Sequence, residues 1–326
     1  MVAAVPIARV VRSGLEESVH LGHIAVCDVD GRLVARAGDA DREVFIRSCA
    51  KPLQAAVSLV AIGDEALPDR EIAVMCASHN GEPVHLGAVR ALLERAGLGP
   101  KALLTPPSYP LDDDEMARSQ HRHPLFSDCS GKHAGMLLAC VRAGWDQATY
   151  RRRSHPLQRR VARAVERATG VDDLRAGVDG CGVPVYGMPL RAIATLYARL
   201  GVPERLPELE AEAARAIEAM LAEPYLVGGR NRFDTTLMQI VPGVVAKEGA
   251  EALVCVSLPE RGVGVALKVA DAGFRAAGPA MVEALTQLDA LDAGQRAALR
   301  EVASPPVLGG GEAVGAIEPV VKLRRR

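Results

Sequence analysis

Residues 19–37 read VHLGHIAVCDVDGRLVARA, and this stretch decides the class of fold. Two runs rich in β-branched and apolar residues flank Asp30-Gly31, a dipeptide that favours the tight turn of a β-hairpin. The stretch therefore predicts a hairpin from Val19 to Ala37, close to the first residues of the chain.

A second hairpin is predicted towards the last residues. Leu253 to Leu258 and Gly262 to Val269 are apolar runs that flank a short Pro-Glu-Arg turn. Between the hairpins the apolar residues mostly recur with helical spacing, and proline stands near the start of several segments, where a helix tolerates it. The predicted helices cover 49–62, 84–96, 132–142, 156–169, 189–200, 207–221 and 279–287.

This order of elements predicts an α+β fold in a single domain of residues 1–326. One antiparallel sheet forms from both chain ends, helices flank it, and a helical subdomain is inserted between its strands. The longest segment without periodicity runs from Thr105 to Ser130, and a loop of that length is typical of a lid or a site loop.

The composition of the chain argues against several classes of function. With 49% hydrophobic residues among 326, the chain can bury a large core, and its net charge of -1 argues against binding to nucleic acid or to a membrane surface. We find no signal peptide in Met1 to Val11 and no apolar run long enough to cross a bilayer. The seven cysteines follow no framework, which fits a reducing cytosol, so we predict a cytoplasmic protein.

Ser48 and Lys51 form a Ser-x-x-Lys motif in Arg47-Ser48-Cys49-Ala50-Lys51. Residues three apart share a face of a helical turn, so the lysine amine can reach the serine hydroxyl. A serine hydroxyl becomes a good nucleophile when a base takes its proton, and a neutral lysine can be that base. By itself the motif is weak evidence, because most such matches arise by chance.

Two further elements follow in the chain order of the β-lactamases and penicillin-binding proteins. Ser78-His79-Asn80 supplies Ser-x-Asn, and Lys247-Glu248-Gly249 supplies Lys-x-Gly just before a predicted strand. Alone, Ser78 is interpreted as a turn serine and Lys247 as an exposed lysine. Together with Ser48 and Lys51 they predict acyl-enzyme catalysis, in which Lys247 supplies positive charge and Ser78 relays a proton to the leaving amine.

Cysteines and a lysine form a second cluster. Cys129 and Lys132 are three apart at a predicted helix start, and Cys181 stands on a turn bounded by glycines. Two thiolates suit zinc, and His133 is a further candidate ligand, but free cysteines more often pack as small apolar groups. From these residues alone the packing interpretation is the stronger one.

The whole set of motifs resembles the Rhizobium etli-type (class 3) L-asparaginases. The matching blocks are Arg47-Ser48-x-x-Lys51-Pro52-x-Gln54, Met75-Cys76-Ala77-Ser78-His79, Cys129-Ser130-Gly131-Lys132-His133-x-Gly135-Met136-Leu137, Asp179-Gly180-Cys181-x-x-Pro184, Lys247-x-Gly249-Ala250 and Arg232-x-x-Thr235-x-Leu237-Met238. The blocks span most of the chain. Asn80-Gly81-Glu82-Pro83 and the run of glycines at 309–311 depart from the pattern of that family.

The resemblance implies a serine-β-lactamase-like or glutaminase-like fold, a homodimer and the hydrolysis of L-asparagine to L-aspartate and ammonia. It implies two serine-lysine pairs, Ser48 with Lys51 and Ser78 with Lys247. It also implies a non-catalytic zinc ion at Cys129, Lys132 and Cys181, with Asp179 beside it. We assign substrate binding to residues in or beside the blocks, namely Arg47, His79, Asn80, Asp179 and Arg232.

Three alternatives remain open. A β-lactamase or peptidoglycan peptidase would share the fold, but its substrates lie outside the cytoplasm. Glutaminase activity is the second alternative, because glutamine differs from asparagine by one methylene. A pocket discriminates such a difference by only about 1–3 kcal/mol. A zinc-stabilised binding protein without catalytic activity would keep the cysteines and Lys132 but would not need the Ser-x-x-Lys motif.

Overall fold

The strands of the main sheet come from both ends of the chain, as the two hairpins predict. In this computed structural model, which describes residues 3–325, the strands are β1 Val5–Arg12, β2 Leu15–Asp28, β3 Leu33–Ala37, β4 Glu43–Phe45, β5 Arg175–Val178, β6 Pro184–Pro189, β7 Val245–Gly249, β8 Leu253–Leu258, β9 Val263–Val269, β10 Pro306–Gly309, β11 Glu312–Pro319 and β12 Arg324–Arg325. The main sheet has the order β10-β11-β1-β2-β9-β8-β7, β3 pairs with β2 and β12, and its pairings are antiparallel.

Helices occupy most of the chain between the two hairpins. They are α1 Lys51–Ile62, α2 Asp69–Met75, α3 Pro83–Arg95, α4 Asp113–Arg118, α5 Ser130–Arg142, α6 Pro156–Thr169, α7 Leu190–Leu200, α8 Glu210–Ala222, α9 Pro224–Val227, α10 Phe233–Ile240, α11 Ala277–Gln287, α12 Ala293–Ala298 and α13 Arg300–Ala303. Short 3-10 helices cover Arg47–Ala50, Pro100–Ala102, Pro124–Phe126, Pro203–Arg205, Pro259–Arg261 and Phe274–Ala276. The α+β class is confirmed.

The chain divides into two compact units. The first comprises Met1–Cys49, Met188–Gly201 and Thr236–Arg326, and it holds the main sheet. The second comprises Ala50–Gly187 and Val202–Thr235, which are the predicted helical insertion. The single domain of residues 1–326 stays a prediction.

The first unit has its core along β8 and β9. Every residue of β8 is buried, as expected for a strand that is covered on both faces, and α7 packs against β2, β8 and β9. The contact between α7 and β9 is close, because a Cβ at Gly264 would lie 2.0 Å from the carbonyl oxygen of Ala194. Glycine at this position therefore lets the helix lie directly on the sheet.

The second unit is built around α5. Residues Ser130–Cys140 of this helix are buried, and α1, α2 and α3 pack against it. A Cβ at Gly131 would lie 2.1 Å from the carbonyl oxygen of Val74, so only glycine allows the start of α5 to approach the end of α2. This approach matters for function, because the chain leaves α2 directly towards Ser78, while Cys129 and Lys132 lie at the start of α5.

The predicted elements are largely confirmed. The hairpin at Asp30-Gly31 joins β2 to β3, and α6 has the predicted bounds. The Lys-x-Gly motif stands before the predicted strand Leu253–Leu258, which is β8, but it lies in a further strand, β7, that was not predicted. The segment Thr105 to Ser130, predicted as a loop, contains α4 and a 3-10 helix.

Met1, Val2 and Arg326 lie outside the described residues, and the signal-peptide prediction, which includes Met1 and Val2, stays a prediction. Between residues 3 and 325, every helix is too short or too polar to span a membrane.

Candidate active site

Lys51, the first residue of α1, is completely buried and makes three close polar contacts in the second unit. Its Nζ donates to the carbonyl oxygen of Ala77 at 2.6 Å, contacts Ser78 Oγ at 2.9 Å and lies 3.3 Å from the carbonyl oxygen of Asp128. These partners come from the segment after α2 and from the residue before Cys129. The fold therefore brings Lys51 of the first motif into contact with Ser78 of the second.

The geometry around the Lys51 amine suits both of its protonation states. An ammonium group has three hydrogens, one for each of the three oxygens. A neutral amine has two hydrogens for the two carbonyl oxygens and one lone pair, which can accept the hydroxyl proton of Ser78. Because a hydroxyl can donate or accept, Ser78 can stay hydrogen-bonded while Lys51 gains or loses a proton.

Asp128 is a member of this cluster that the sequence motifs do not single out. Its carboxylate lies 3.9 Å from Lys51 Nζ. Burial raises the pKa of Asp128, but Lys51, His79 and Lys132 together outweigh burial, so that its pKa lies below the ordinary value. Asp128 therefore stays ionised. The signal that could have revealed it is its position directly before Cys129, the first residue of a matching block.

Ser48 lies in the first unit, in a 3-10 helix with an unusual entry. The preceding residue, Arg47, has φ 47°, a left-handed conformation that is uncommon for a residue with a side chain. The helix is anchored at Cys49, whose carbonyl oxygen accepts a hydrogen bond from Tyr197 Oη at 2.9 Å. Such backbone conformations persist where the surroundings hold them, and they are frequent at functional sites. Ser48 itself is buried.

Strand β7 brings the Lys-x-Gly motif next to this helix. Cys49 Sγ donates to the carbonyl oxygen of Lys247 at 3.3 Å, and Lys247 is completely buried. A Cβ at Gly249 would lie 3.0 Å from Cys49 Sγ and 3.4 Å from the backbone nitrogen of Ser48. The first and third motifs therefore meet, and the glycine of Lys-x-Gly is the residue that permits the close approach.

We expect Gly249→Ala to lower the predicted amidohydrolase activity strongly and to lower stability only modestly. The added methyl group displaces the Ser48–Cys49 backbone by a few tenths of an ångström, and such overpacking costs about 1–3 kcal/mol. Steady-state kinetics and a thermal melt measure the two effects. Gly87→Ala is the matched control, because a Cβ at Gly87 meets no atom within 4 Å. Equal activity of the two variants would contradict this close contact.

His79 and Asn80, both predicted to bind substrate, are held by protein groups. Nδ1 of His79 accepts from the backbone nitrogen of Gly81, and its Nε2 lies 2.9 Å from Ser130 Oγ. Burial lowers the pKa of His79 well below the ordinary value, so the ring is neutral. Asn80 Nδ2 donates to the carbonyl oxygen of Arg230. In this structure the two side chains position the loop that carries Ser78, and their contact with substrate stays a prediction.

Arg232, a third predicted substrate residue, supports the same loop. Its Nη1 lies 3.1 Å from the carbonyl oxygen of Ser78 and 3.2 Å from Oδ1 of Asn80. Glu82 adds a second support, because its carboxylate accepts from the hydroxyl of Tyr225 and from the backbone nitrogen of Arg230. The sequence did not single out Glu82 or Tyr225 for any role.

The segment around α4 is attached to this region. The backbone nitrogens of Leu111 and Asp112 both donate to the carbonyl oxygen of Asn80, at 2.7 and 3.1 Å. The carboxylate of Asp114 accepts from Arg230 Nη1 at 2.6 Å. These hydrogen bonds therefore hold the acidic residues at the start of α4 close to the loop that carries Ser78, within the second unit.

Cys129, Lys132 and Cys181 form a buried cluster, also in the second unit. Lys132 Nζ lies 3.1 Å from Cys181 Sγ. A hydrogen bond from the Cys129 thiol raises the pKa of Cys129 and lowers that of Cys181 well below its ordinary value. Burial lowers the pKa of Lys132, but Cys181, Cys129 and Asp179 together raise that pKa overall. Cys129, Lys132 and Cys181 thus share one charged centre, although Cys129 and Cys181 are 52 positions apart in the sequence.

The donor set of this cluster fits zinc, which binds sulfur and nitrogen ligands. Within residues 3–325, no three His, Cys, Asp or Glu side chains are placed to hold a metal ion, so Lys132 would have to be a ligand. Asp179 Oδ2 lies 4.0 Å from Cys181 Sγ. The buried Nε2 of His133 makes no hydrogen bond of ordinary geometry. Burial lowers the pKa of His133, and the nearby Cys181 thiolate opposes that effect.

The predicted site residues are distributed over both units. The first unit holds Arg47, Ser48 and Lys247, and Arg47 lies 4.0 Å from the carboxylate of Glu251. The second unit holds the others, which are Lys51, Ser78, His79, Asn80, Cys129, Lys132, Asp179, Cys181 and Arg232. The predicted pairing of Ser78 with Lys247 joins residues of different units and stays a prediction.

Solved structures with low sequence identity resemble this chain. A β-lactamase from Mycobacterium bovis is 14% identical, with a TM-score of 0.44, over 83% of this chain and 95% of its own. Mglu in its native form is 17% identical, with a TM-score of 0.40, over 83% of this chain and 65% of its own. Simvastatin synthase (LovD) from Aspergillus terreus, as the LovD6 mutant, is 12% identical, with a TM-score of 0.39, over 76% of this chain and 86% of its own. No curated protein matches the sequence.

The sequence profile of one family matches nearly the whole chain. The profile is that of L-asparaginase II, and the match runs from residue 8 to residue 319. It includes the three serine and lysine motifs and the cysteine-lysine cluster described above. The resemblance predicted from the motifs is thereby confirmed, and the chain belongs to the L-asparaginase II family.

Proposed function

We propose that the protein hydrolyses L-asparagine to L-aspartate and ammonia through an acyl-enzyme on Ser48. The observation that carries this proposal is the buried contact of 2.9 Å between Lys51 Nζ and Ser78 Oγ, in a member of an amidohydrolase family. Lysine, unlike arginine, can lose its proton when buried, and a serine beside it can pass that proton on.

In this proposal Ser48 Oγ attacks the side-chain amide carbon of asparagine, and Lys51 accepts the hydroxyl proton. The support for their acting together is the Ser-x-x-Lys spacing. The developing negative charge on the amide oxygen is stabilised by the positive charge of Lys247, and the contact between Cys49 and the Lys247 carbonyl supports this role.

The proton then leaves Lys51 through Ser78 for the amide nitrogen, which departs as ammonia when the carbon–nitrogen bond breaks. Water, giving its proton to the same Lys51–Ser78 pair, attacks the Ser48 ester. Aspartate is released and Ser48 regains its proton. Each step uses one nucleophile and one proton carrier, and the pair returns to its initial state.

Cys129, Lys132 and Cys181 would hold the zinc ion that the family resemblance implies. When bound, zinc supplies a positive charge beside Asp128 and shapes the adjacent pocket. Asp179, whose carboxylate lies 4.0 Å from Cys181 Sγ, would stabilise positive charge in the cluster. The nucleophile and the base are separate residues, so the ion tunes affinity for substrate more than chemistry.

We expect Cys181→Ser to lose zinc and to raise KM for asparagine, with a smaller effect on kcat. Serine removes the thiolate that lies against Lys132, while Ser48 and Lys51 remain. Elemental analysis and steady-state kinetics of the purified proteins test the two parts.

The matched control for the zinc prediction is Cys140→Ala. Cys140 is a buried thiol on the same helix α5, and burial raises its pKa to about 12, so it stays a neutral thiol. This variant should retain zinc. Zinc that is absent from the wild type, or unchanged in Cys181→Ser, would make these cysteines packed thiols.

The experiment that tests the proposed function is ammonia release from asparagine and from glutamine, measured side by side with nitrocefin hydrolysis. We expect asparagine to be preferred and nitrocefin to be stable. A preference for glutamine would keep the acyl-enzyme but change the substrate, and nitrocefin turnover without ammonia release would replace amidohydrolase activity by β-lactamase activity. Sedimentation of the same sample tests the proposed homodimer.

A further inference from the structure

A groove on the second unit has no part in the chemistry proposed above. Its volume is about 610 Å³, and three elements line it: α1 with Val57 and Val60, α6, and the segment that follows the 3-10 helix Pro203–Arg205. We call it the arginine groove. Its size lies in the range of sites that hold small organic molecules.

Four arginines surround the arginine groove: Arg160, Arg163 and Arg167 of α6, and Arg205. The three on α6 are three and four residues apart, so they share one face of the helix. Arg160 lies over the ring of Trp145, 4.9 Å from its centre, which orients its guanidinium group. Since the chain as a whole has a net charge of -1, this concentration of positive charge is local.

The balance of charge in the arginine groove favours an anion. Among the described residues that line it, Glu208 is the one acidic side chain, and it forms an ion pair with Arg167. A guanidinium group can bind a carboxylate or a phosphate through two parallel hydrogen bonds. Glu208 pairs with Arg167, while Arg160 and Arg163 stand on the same face of α6, so an anionic group can be bound there.

The apolar lining of the arginine groove favours a ligand that has an apolar part in addition to its negative charge. Val60 is 37% exposed although it lies on a helix that is otherwise mostly buried. Ala164 of α6 and the buried Leu206 continue the apolar surface. A ligand that uses all of these contacts has an apolar body as well as an anionic head.

We propose that the arginine groove binds a small amphipathic anion, an alkyl chain that ends in a carboxylate or a phosphate group. The chain lies against Val57, Val60 and Leu206, and the head lies between the guanidinium groups of α6. Burying the chain supplies affinity, and the bidentate hydrogen bonds supply selectivity for the charge.

The arginine groove is distinct from the proposed amidohydrolase site. Val57 and Val60 follow Lys51 by six and nine positions on α1, which is about 9 and 14 Å along a helix axis. Removing an exposed arginine of the groove should therefore leave asparagine hydrolysis unchanged, and failure of either proposal can be recognised without the other.

Titration calorimetry with octanoate and octyl phosphate tests the proposal. We expect one molecule of at least one of them to bind per chain, and the tighter ligand identifies the head group. Acetate lacks the chain and octylammonium has the opposite charge, so both should bind at least tenfold more weakly. Arg163→Gln should weaken the tighter ligand at least tenfold.

Arg159→Gln is the matched control, since Arg159 is an exposed arginine of the same helix that does not line the groove. It should bind like the wild type, and thermal melts should show both variants folded. The proposal is overturned if neither amphipathic anion binds, if octylammonium binds equally well, or if the two variants weaken binding equally. A loss of oligomer mass in Arg163→Gln without any ligand binding would also overturn it, because the groove would then face a second copy of the chain.

Discussion

A Ser48→Ala variant should release no measurable ammonia from asparagine while it stays folded. The hydroxyl of Ser48 is the proposed point of attachment of the acyl group, and alanine offers no atom to which that group can bind. The substitution removes one oxygen from a short 3-10 helix that is held through the Cys49 backbone by Tyr197, so the fold should tolerate it. Ammonia release and a thermal melt, measured on the same preparation, separate the two effects.

The control for Ser48→Ala is Ser154→Ala, at an exposed serine that precedes α6. It should have the activity of the wild type. Substantial ammonia release by a folded Ser48→Ala protein would remove Ser48 from the mechanism and would point to another nucleophile in the second unit, such as Ser78.

Lys51→Arg should lower kcat by about 10²–10⁴-fold, the usual contribution of a general base, although it keeps a positive charge. Arginine cannot give up its proton at the pH of an ordinary assay. The chain itself uses arginine for most of its basic positions, since only six of its 39 basic residues are lysines. A lysine retained at a fully buried position therefore indicates a role that arginine cannot perform.

Lys101→Arg is the control for this prediction, because Lys101 is exposed and should tolerate the change without loss of activity. Arginine is larger than lysine, so a thermal melt has to show that the Lys51→Arg protein is folded. If the Lys51→Arg variant is folded and as active as Lys101→Arg, Lys51 is not a general base and serves only as a structural cation.

The local signals in the sequence predicted most of the fold. The dipeptide Asp30-Gly31 located the hairpin of β2 and β3, and helical spacing with a proline at its start located α6. Strand β1 was not predicted, because Pro6 interrupts a short apolar run. It forms a hairpin with β2 across Ser13 and Gly14, but its other pairing partner, β11, comes from the opposite end of the chain. Pairing over such a distance in sequence leaves no local pattern.

In the candidate site, too, some contacts could be predicted from the sequence and others could not. The spacing of Ser48 and Lys51 is visible in the sequence because one helical turn determines it. The carboxylate of Asp128, 77 positions from Lys51, approaches its amine only because Gly131 lets α5 approach α2. Glu82 and Tyr225 meet across 143 positions. Contacts of this kind depend on how helices pack, which a motif does not specify.

The most direct test of the central proposal is to identify the acylated residue. Wild-type protein is mixed with asparagine, quenched with acid during turnover, digested and mapped by mass spectrometry. We predict an aspartyl ester on the peptide that contains Ser48, absent when asparagine is omitted and absent from Ser48→Ala. An ester on a different residue, or rapid turnover by the wild type with no ester on Ser48 at any quench time, would contradict the proposed acyl-enzyme.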